Sequence, residues 1–99
     1  MISPMSIEEV LSSKGRMKIL RILAEIGELN ISEIARRARL NYATTNKHLL
    51  ALENQGIIKH KKFGRIRIFR FDEDKPKAMI LRQMIDQWEQ TEEAAENPE

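Results

Sequence analysis

The sequence predicts a mainly α fold with a small β-hairpin, an α+β domain with an additional C-terminal helix. Apolar residues recur at helical spacing up to Gly56, the period falls to two between Ile57 and Phe71, and a helical period returns after Pro76. With 99 residues the chain can bury one core and not two. No apolar run approaches the roughly 20 residues that cross a bilayer, so a soluble chain without membrane contact is expected. Met1–Ser6 shows neither the basic nor the apolar region of a secretory signal. Cysteine is absent, which excludes disulfides and thiolate chemistry and fits a reducing, cytoplasmic setting.

Ile7, Val10 and Leu11 fall at i, i+3, i+4 and predict a short opening helix after Ser6, ending near Ser13. A second helix is expected from about Lys14 to Ile26, where Met17, Ile19, Leu20, Ile22, Leu23 and Ile26 form a wide apolar stripe and Gly27 ends it. Asn30 is placed to cap a two-turn helix, with Glu33 reaching back to the cap. Ile31, Ile34, Ala35 and Ala38 give that helix its inner face, and Arg36, Arg37 and Arg39 its outer one. Asn41 is a second N-cap, before Tyr42, Thr45, Leu49 and Leu52 at intervals of three, four and three, and Gly56 closes this longer helix. The alternating runs 57–62 and 65–71, separated by Phe63-Gly64, predict the hairpin. Asp72, Glu73 and Asp74 stand just ahead of Pro76, which suits the first turn and positive dipole end of a last helix expected from about Lys75 to Glu93. The reading divides the chain into a domain over 1–71, a dimerisation helix over 72–93 and a disordered acidic tail over 94–99.

Two helices joined by a tight turn and followed at once by a basic hairpin is the order of a winged helix-turn-helix. Charge supports a polyanionic partner: residues 1–71 hold fourteen Lys and Arg against six Asp and Glu, and residues 72–99 three against nine, giving +8 and −6. The helix from Tyr42 to Gln55 is about 21 Å long and suits a DNA major groove. With Thr45, Leu49 and Leu52 inward, Ala43, Thr44, Asn46, Lys47 and Leu50 face out. Asn46 can pair with adenine and Lys47 with guanine or a phosphate, and Ala43 and the Thr44 methyl can touch a thymine methyl. Tyr42 either packs in the core or gives its hydroxyl to a phosphate. Six Lys or Arg and no acid lie between Lys59 and Arg70, with Lys61, Lys62, Arg65 and Arg67 nearest the turn. Phe63 either packs over the hairpin or probes the minor groove. Arg36, Arg37 and Arg39 clamp phosphates or form an ordinary solvated face. His48 is expected in a structural niche, and His60 in the wing strand.

The run from Ser32 to Ile58 resembles the ArsR-type and related prokaryotic regulators. The shared marks are Ile34-Ala35, Lys47-His48-Leu49 with Leu52 three later, the helix-ending Gly56, and Gly64-Arg65 as a wing turn. The resemblance covers about residues 7–71. It implies a DNA-binding winged helix and a two-fold dimer built from terminal helices. Ile7, Val10, Leu81, Met84, Ile85 and Trp88 are the expected dimer residues; the alternative is that the last helix folds back on its own domain. The family's metal sites use cysteines or Asp and His pairs. This chain has no Cys, and its last helix offers Asp86 and Glu89 without a His, so neither metal nor other cofactor is expected. No catalytic motif is present. The function expected is a homodimeric, sequence-specific double-stranded DNA-binding transcriptional regulator. Two alternatives stand beside it: an architectural DNA-coating protein, since Leu40-Asn41-Tyr42 and Lys47-His48-Leu49 are also similar to archaeal winged-helix chromosomal proteins, and a protein-docking winged helix.

Overall fold

Four side-chain caps punctuate the helical half of the chain in the computed structural model, which describes residues 4–96. Ser6 Oγ accepts the Glu9 N–H at the start of α1 (Ile7–Ser12), and Ser13 Oγ accepts the Arg16 N–H at the start of α2 (Lys14–Ile26), both at 3.2 Å. Asn30 Oδ1 accepts the Glu33 N–H at 2.9 Å to open α3 (Ile31–Ala38), and Asn41 Oδ1 accepts the Thr44 N–H at 2.7 Å to open α4 (Tyr42–Asn54). Each bond satisfies an N–H that the helix itself leaves without a partner. The expected return bond from the Glu33 carboxylate does not form, because Arg36, one turn on, engages both its oxygens at 2.8 and 3.0 Å.

The turn between α3 and α4 depends on Arg39, whose φ of 58° is left-handed. A side chain there costs on the order of 1 kcal/mol relative to glycine. The turn is closed by the Leu40 N–H donating to Ala35 O at 3.0 Å.

The β portion has three strands where the sequence reading expected two. β2 (Ile58–Phe63) and β3 (Ile66–Phe71) form the hairpin, and β1 (Glu28–Asn30) pairs antiparallel with the free edge of β3, giving the order β1-β3-β2. Phe63 pairs with Ile66, so the two-residue loop is Gly64-Arg65 and not Phe63-Gly64. Gly64 supplies the positive φ of 62° that such a loop needs.

The core lies between α2 and the surrounding elements: Ile19, Leu20 and Leu23 meet Ile34 of α3, Leu49 and Leu52 of α4, and Ile58, Phe69 and Phe71 of the sheet, all at most 1% exposed. α5 (Pro76–Glu96) adds Ala78 and Ile85 to the same cluster. Asp72, Glu73 and Asp74 stand ahead of the helix as expected, and they also take tertiary partners that were not: Lys59 Nζ lies 3.5–3.7 Å from all three carboxylates, and Arg70 pairs with Glu73. The helix continues through Ala94 and Ala95 to Glu96, so the first half of the expected disordered tail is helical, and residues 97–99 lie outside the described residues. No described helix is long and apolar enough to cross a membrane.

Candidate nucleic-acid interface

Helix α4 is anchored in the core by its inner face. Thr45, Leu49 and Leu52 are fully buried, and Thr45 Oγ1 donates to Asn41 O at 2.8 Å, which satisfies the one polar group on that face. Tyr42, Ala43, Lys47 and Leu50 are exposed, and Thr44 and Asn46 are half-buried on either side of Thr45, with Asn46 on the edge towards the wing. Tyr42 keeps 56% of its surface in solvent, so of its two readings the core aromatic is excluded.

The wing has two chemically different faces, because successive side chains alternate across a sheet. Register puts Arg67, Phe69 and Phe71 of β3 opposite Lys62, His60 and Ile58 of β2 on the inner face. Two polar bridges join this face to α4. Arg67 Nη2 donates to Asn46 Oδ1 at 2.9 Å, and His60 Nδ1 lies 2.6 Å from Glu53 Oε2. Between them Phe69, fully buried, has the His60 ring at 5.2 Å and the Arg67 guanidinium at 5.3 Å from its centroid. Arg67, expected among the groups free for DNA, is thus partly committed to Asn46.

The wing's cations divide by position. At the root, Lys59 faces the 72–74 carboxylates, while Arg70 pairs with Glu73 and lies 3.8 Å from Glu28. At the tip, Lys61, Lys62 and Arg65 are exposed, and no ion pair engages them among the described residues. His60, Lys62, Gly64, Arg65 and Arg67 line an open basic concavity on this hairpin. Phe63 and Ile66 flank the loop with 62% and 53% of their surfaces in water, so Phe63 does not fold over the hairpin.

Of the α3 arginines, Arg36 is bound at two points by Glu33, and Arg37 lies 3.7 Å from the same carboxylate. The Arg36 hydrogen bond holds the Glu33 carboxyl below the ordinary carboxylate range, with Arg37 adding to it. One acid therefore offsets part of this pair's charge on the outer face of α3.

His48 does occupy a niche, and its partner was not expected. A Cβ on Gly15 would lie 2.7 Å from His48 Nε2, so a side chain in the first turn of α2 would displace the imidazole from this position. Gly15 sits at a helix start without a turn to explain it, which was the available signal. Burial pushes the His48 pKa below its ordinary 6.5, and the neighbouring positive charges of Arg16 and Lys47 act in the same direction. The unfolded chain therefore takes up this proton first as pH falls. Stability from neutral His48 is present in full above 6.5 and lost as pH falls through the lowered value. In thermal melts, His48→Gln is expected to show a smaller Tm difference between pH 7.5 and 5 than the parent; equal differences would remove His48 from the acid response.

The expected dimer residues fall into two groups. Val10 and Ile85 are only 7% and 4% exposed, inside the chain's own core, and Leu81 packs against that core half-buried. The burial of Ala78 and Ile85 realises the fold-back alternative for one stripe of α5. Ile7, Met84 and Trp88 remain 68%, 44% and 67% exposed. Two residues absent from the expected set join them: Ile80 at 66% and Leu11 at 38%. Ile80, Met84 and Trp88 recur at i, i+4, i+8, a second stripe that was visible in the sequence. Met5, Ile7, Leu11, Ile80, Leu81 and Met84 border a mostly apolar groove of about 220 Å³ between α1 and α5.

Comparison with known proteins agrees with this geometry. Residues 13–60 match the family model described as bacterial regulatory protein, arsR family. The chain is 31% identical over 90 residues to a cadmium resistance transcriptional regulatory protein CadC homolog from Staphylococcus aureus, covering 88% of this chain and 74% of that protein. Reduced HlyU from Vibrio cholerae superposes with a TM-score of 0.69 at 18% identity, over 80% of both chains. The homodimeric winged helix-turn-helix DNA-binding domain of a possible ArsR-family regulator from Mycobacterium bovis superposes with a TM-score of 0.68 at 19% identity, over 95% of both. At these identities the two structures speak for the winged-helix fold.

Proposed function

This chain belongs to the arsR family of bacterial regulatory proteins, and from that premise we propose that it is a homodimeric, sequence-specific double-stranded DNA-binding protein that regulates transcription in the cytoplasm and is not an enzyme. The observation that carries the reading is the bond from Arg67 to Asn46. It supports a single surface on which the polar side of α4 and the unpaired cations of the wing tip meet one ligand. Tyr42, Ala43, Thr44, Asn46 and Lys47 then lie against the major groove, with Arg36 and Arg37 beside it on α3. Lys61, Lys62 and Arg65 lie on phosphates flanking it, and Arg67 braces Asn46.

Selection of bound duplexes from a random pool, at one fixed salt concentration, tests this. The selected site should be preferred over random duplex by about a thousandfold or more. A preference below tenfold would favour an architectural coat, and binding indifferent to salt would favour a protein partner. Arg65→Ala is expected to weaken all duplexes alike and to reduce the slope of log K against log salt by about 0.9, the contribution of one phosphate. An unchanged slope and random-duplex affinity would remove Arg65 from the interface.

A further inference from the structure

Asn46 does not present a free amide. Arginine carries five N–H donors and no acceptor, so the Asn46 atom 2.9 Å from Arg67 Nη2 is the carbonyl oxygen, which turns the amide nitrogen away from Arg67. The guanidinium is itself held, its carbon 5.3 Å from the centroid of the fully buried Phe69 ring. The only acid of α4, Glu53, is engaged by His60. The junction between wing and helix therefore offers N–H groups from both Asn46 and Arg67, while one of the two lone pairs of its amide oxygen is taken by a cation. An asparagine reads adenine by donating to N7 and accepting from N6–H, whereas guanine presents two acceptors, O6 and N7.

We propose that Arg67 is a specificity-determining positioning residue: by binding Asn46 Oδ1 it occupies part of the acceptor and makes the pair a donor-rich reader that favours guanine over adenine at the base facing Asn46. This rests on the DNA-binding reading above. It replaces the pairing of Asn46 with adenine that the sequence alone suggests. It also gives a wing residue a part in base choice, beyond attraction to phosphates.

The experiment is duplex selection from a random pool with the full chain and with Asn46→Ala, Arg67→Met and Arg67→Lys, each first shown to melt cooperatively. Asn46→Ala should erase the preference at one position per half-site, and the parent should select guanine there. Arg67→Met keeps an apolar stem over Phe69 but no donor; it frees Oδ1 and should move the guanine-to-adenine ratio at that position by about tenfold or more towards adenine, leaving other positions unchanged. Arg67→Lys retains a donor and should keep guanine. Adenine in the parent at the Asn46-dependent position overturns the proposal, and this outcome needs no Arg67 variant to fold. So does an Arg67→Met variant that keeps guanine while binding every duplex more weakly, which makes Arg67 a phosphate contact only. An Asn46→Ala variant with an unaltered selected site overturns it as well, with DNA binding intact. A parent chain that enriches no duplex overturns the DNA-binding reading itself, and this result is distinct from the other three.

Discussion

Phe69→Ala is expected to lower stability by about 3–5 kcal/mol, the cost of deleting a fully buried aromatic side chain from a core that cannot close around the space. Phe69 is 0% exposed and stands on the central strand, opposite Leu29 of β1 and His60 of β2. A chain of 99 residues has a total of roughly 5–15 kcal/mol, so the variant is left close to unfolding. At about 4–8 °C per kcal/mol for a domain of this size, the melting temperature should fall by at least roughly 12 °C. Urea and thermal unfolding followed by circular dichroism, at equal protein concentrations, measure this. Ile66→Ala, on the exposed wing tip, is the control and should stay within about 0.5 kcal/mol of the parent. A loss below about 1.5 kcal/mol for Phe69→Ala would mean that the wing root is not continuous with the core. Removing this ring also removes the surface beneath Arg67 and His60, so DNA binding should weaken more than the fraction unfolded accounts for.

The parts of this fold legible in the sequence are those whose causes lie within a few residues. Asn30 and Asn41 cap helices through bonds to N–H groups three residues on, so the helix-turn-helix could be placed from short-range chemistry. The stripe on α2 and the alternation in β3 are likewise local. What could not be read depends on competition between partners distant in sequence. β1 has three residues, too few for a period, and exists because Leu29 meets Phe69. The carboxylates of 72–74 suited a helix start, but Lys59 and Arg70 are charged and near in space, and full charges at short range outweigh a dipole end. In the site, the exposed side of α4 followed from its buried side. The Arg67–Asn46 bond did not, since it depends on how the hairpin leans on the helix. On α5 two apolar stripes were present, and only packing against α2 and β3 decides which of them faces inward.

The outward stripe leads to the second large effect, a monomer produced by Ile80→Glu. In one chain Ile7, Leu11, Ile80, Met84 and Trp88 hold between 38% and 68% of their surfaces in water. Full burial of such side chains contributes about 1.5–3 kcal/mol each, and a two-fold axis uses every one twice. Because each is already partly covered within one chain, the ten give on the order of 8–17 kcal/mol before costs, against an association cost of roughly 4–15 kcal/mol, so burial of the whole stripe offsets most of that cost. A second copy would meet the stripe with an equally apolar surface, and a two-fold dimer that reads successive half-sites needs its two α4 helices about 34 Å apart, one turn of DNA. In a single chain the introduced carboxylate remains in water and leaves the core intact; in the dimer it places two buried, unpaired charges on the seam. Light scattering after size exclusion should therefore show the variant at one chain's mass. Affinity for the selected duplex should fall by about 10² to 10⁴, the advantage that a linked second site confers. Trp88 is the single tryptophan and reports the same event. Its emission should shift to longer wavelength as the parent is diluted, and should already lie there in the variant at every concentration. If elution and emission match the parent throughout, the stripe serves another partner, and recognition of paired half-sites must rest on a different contact.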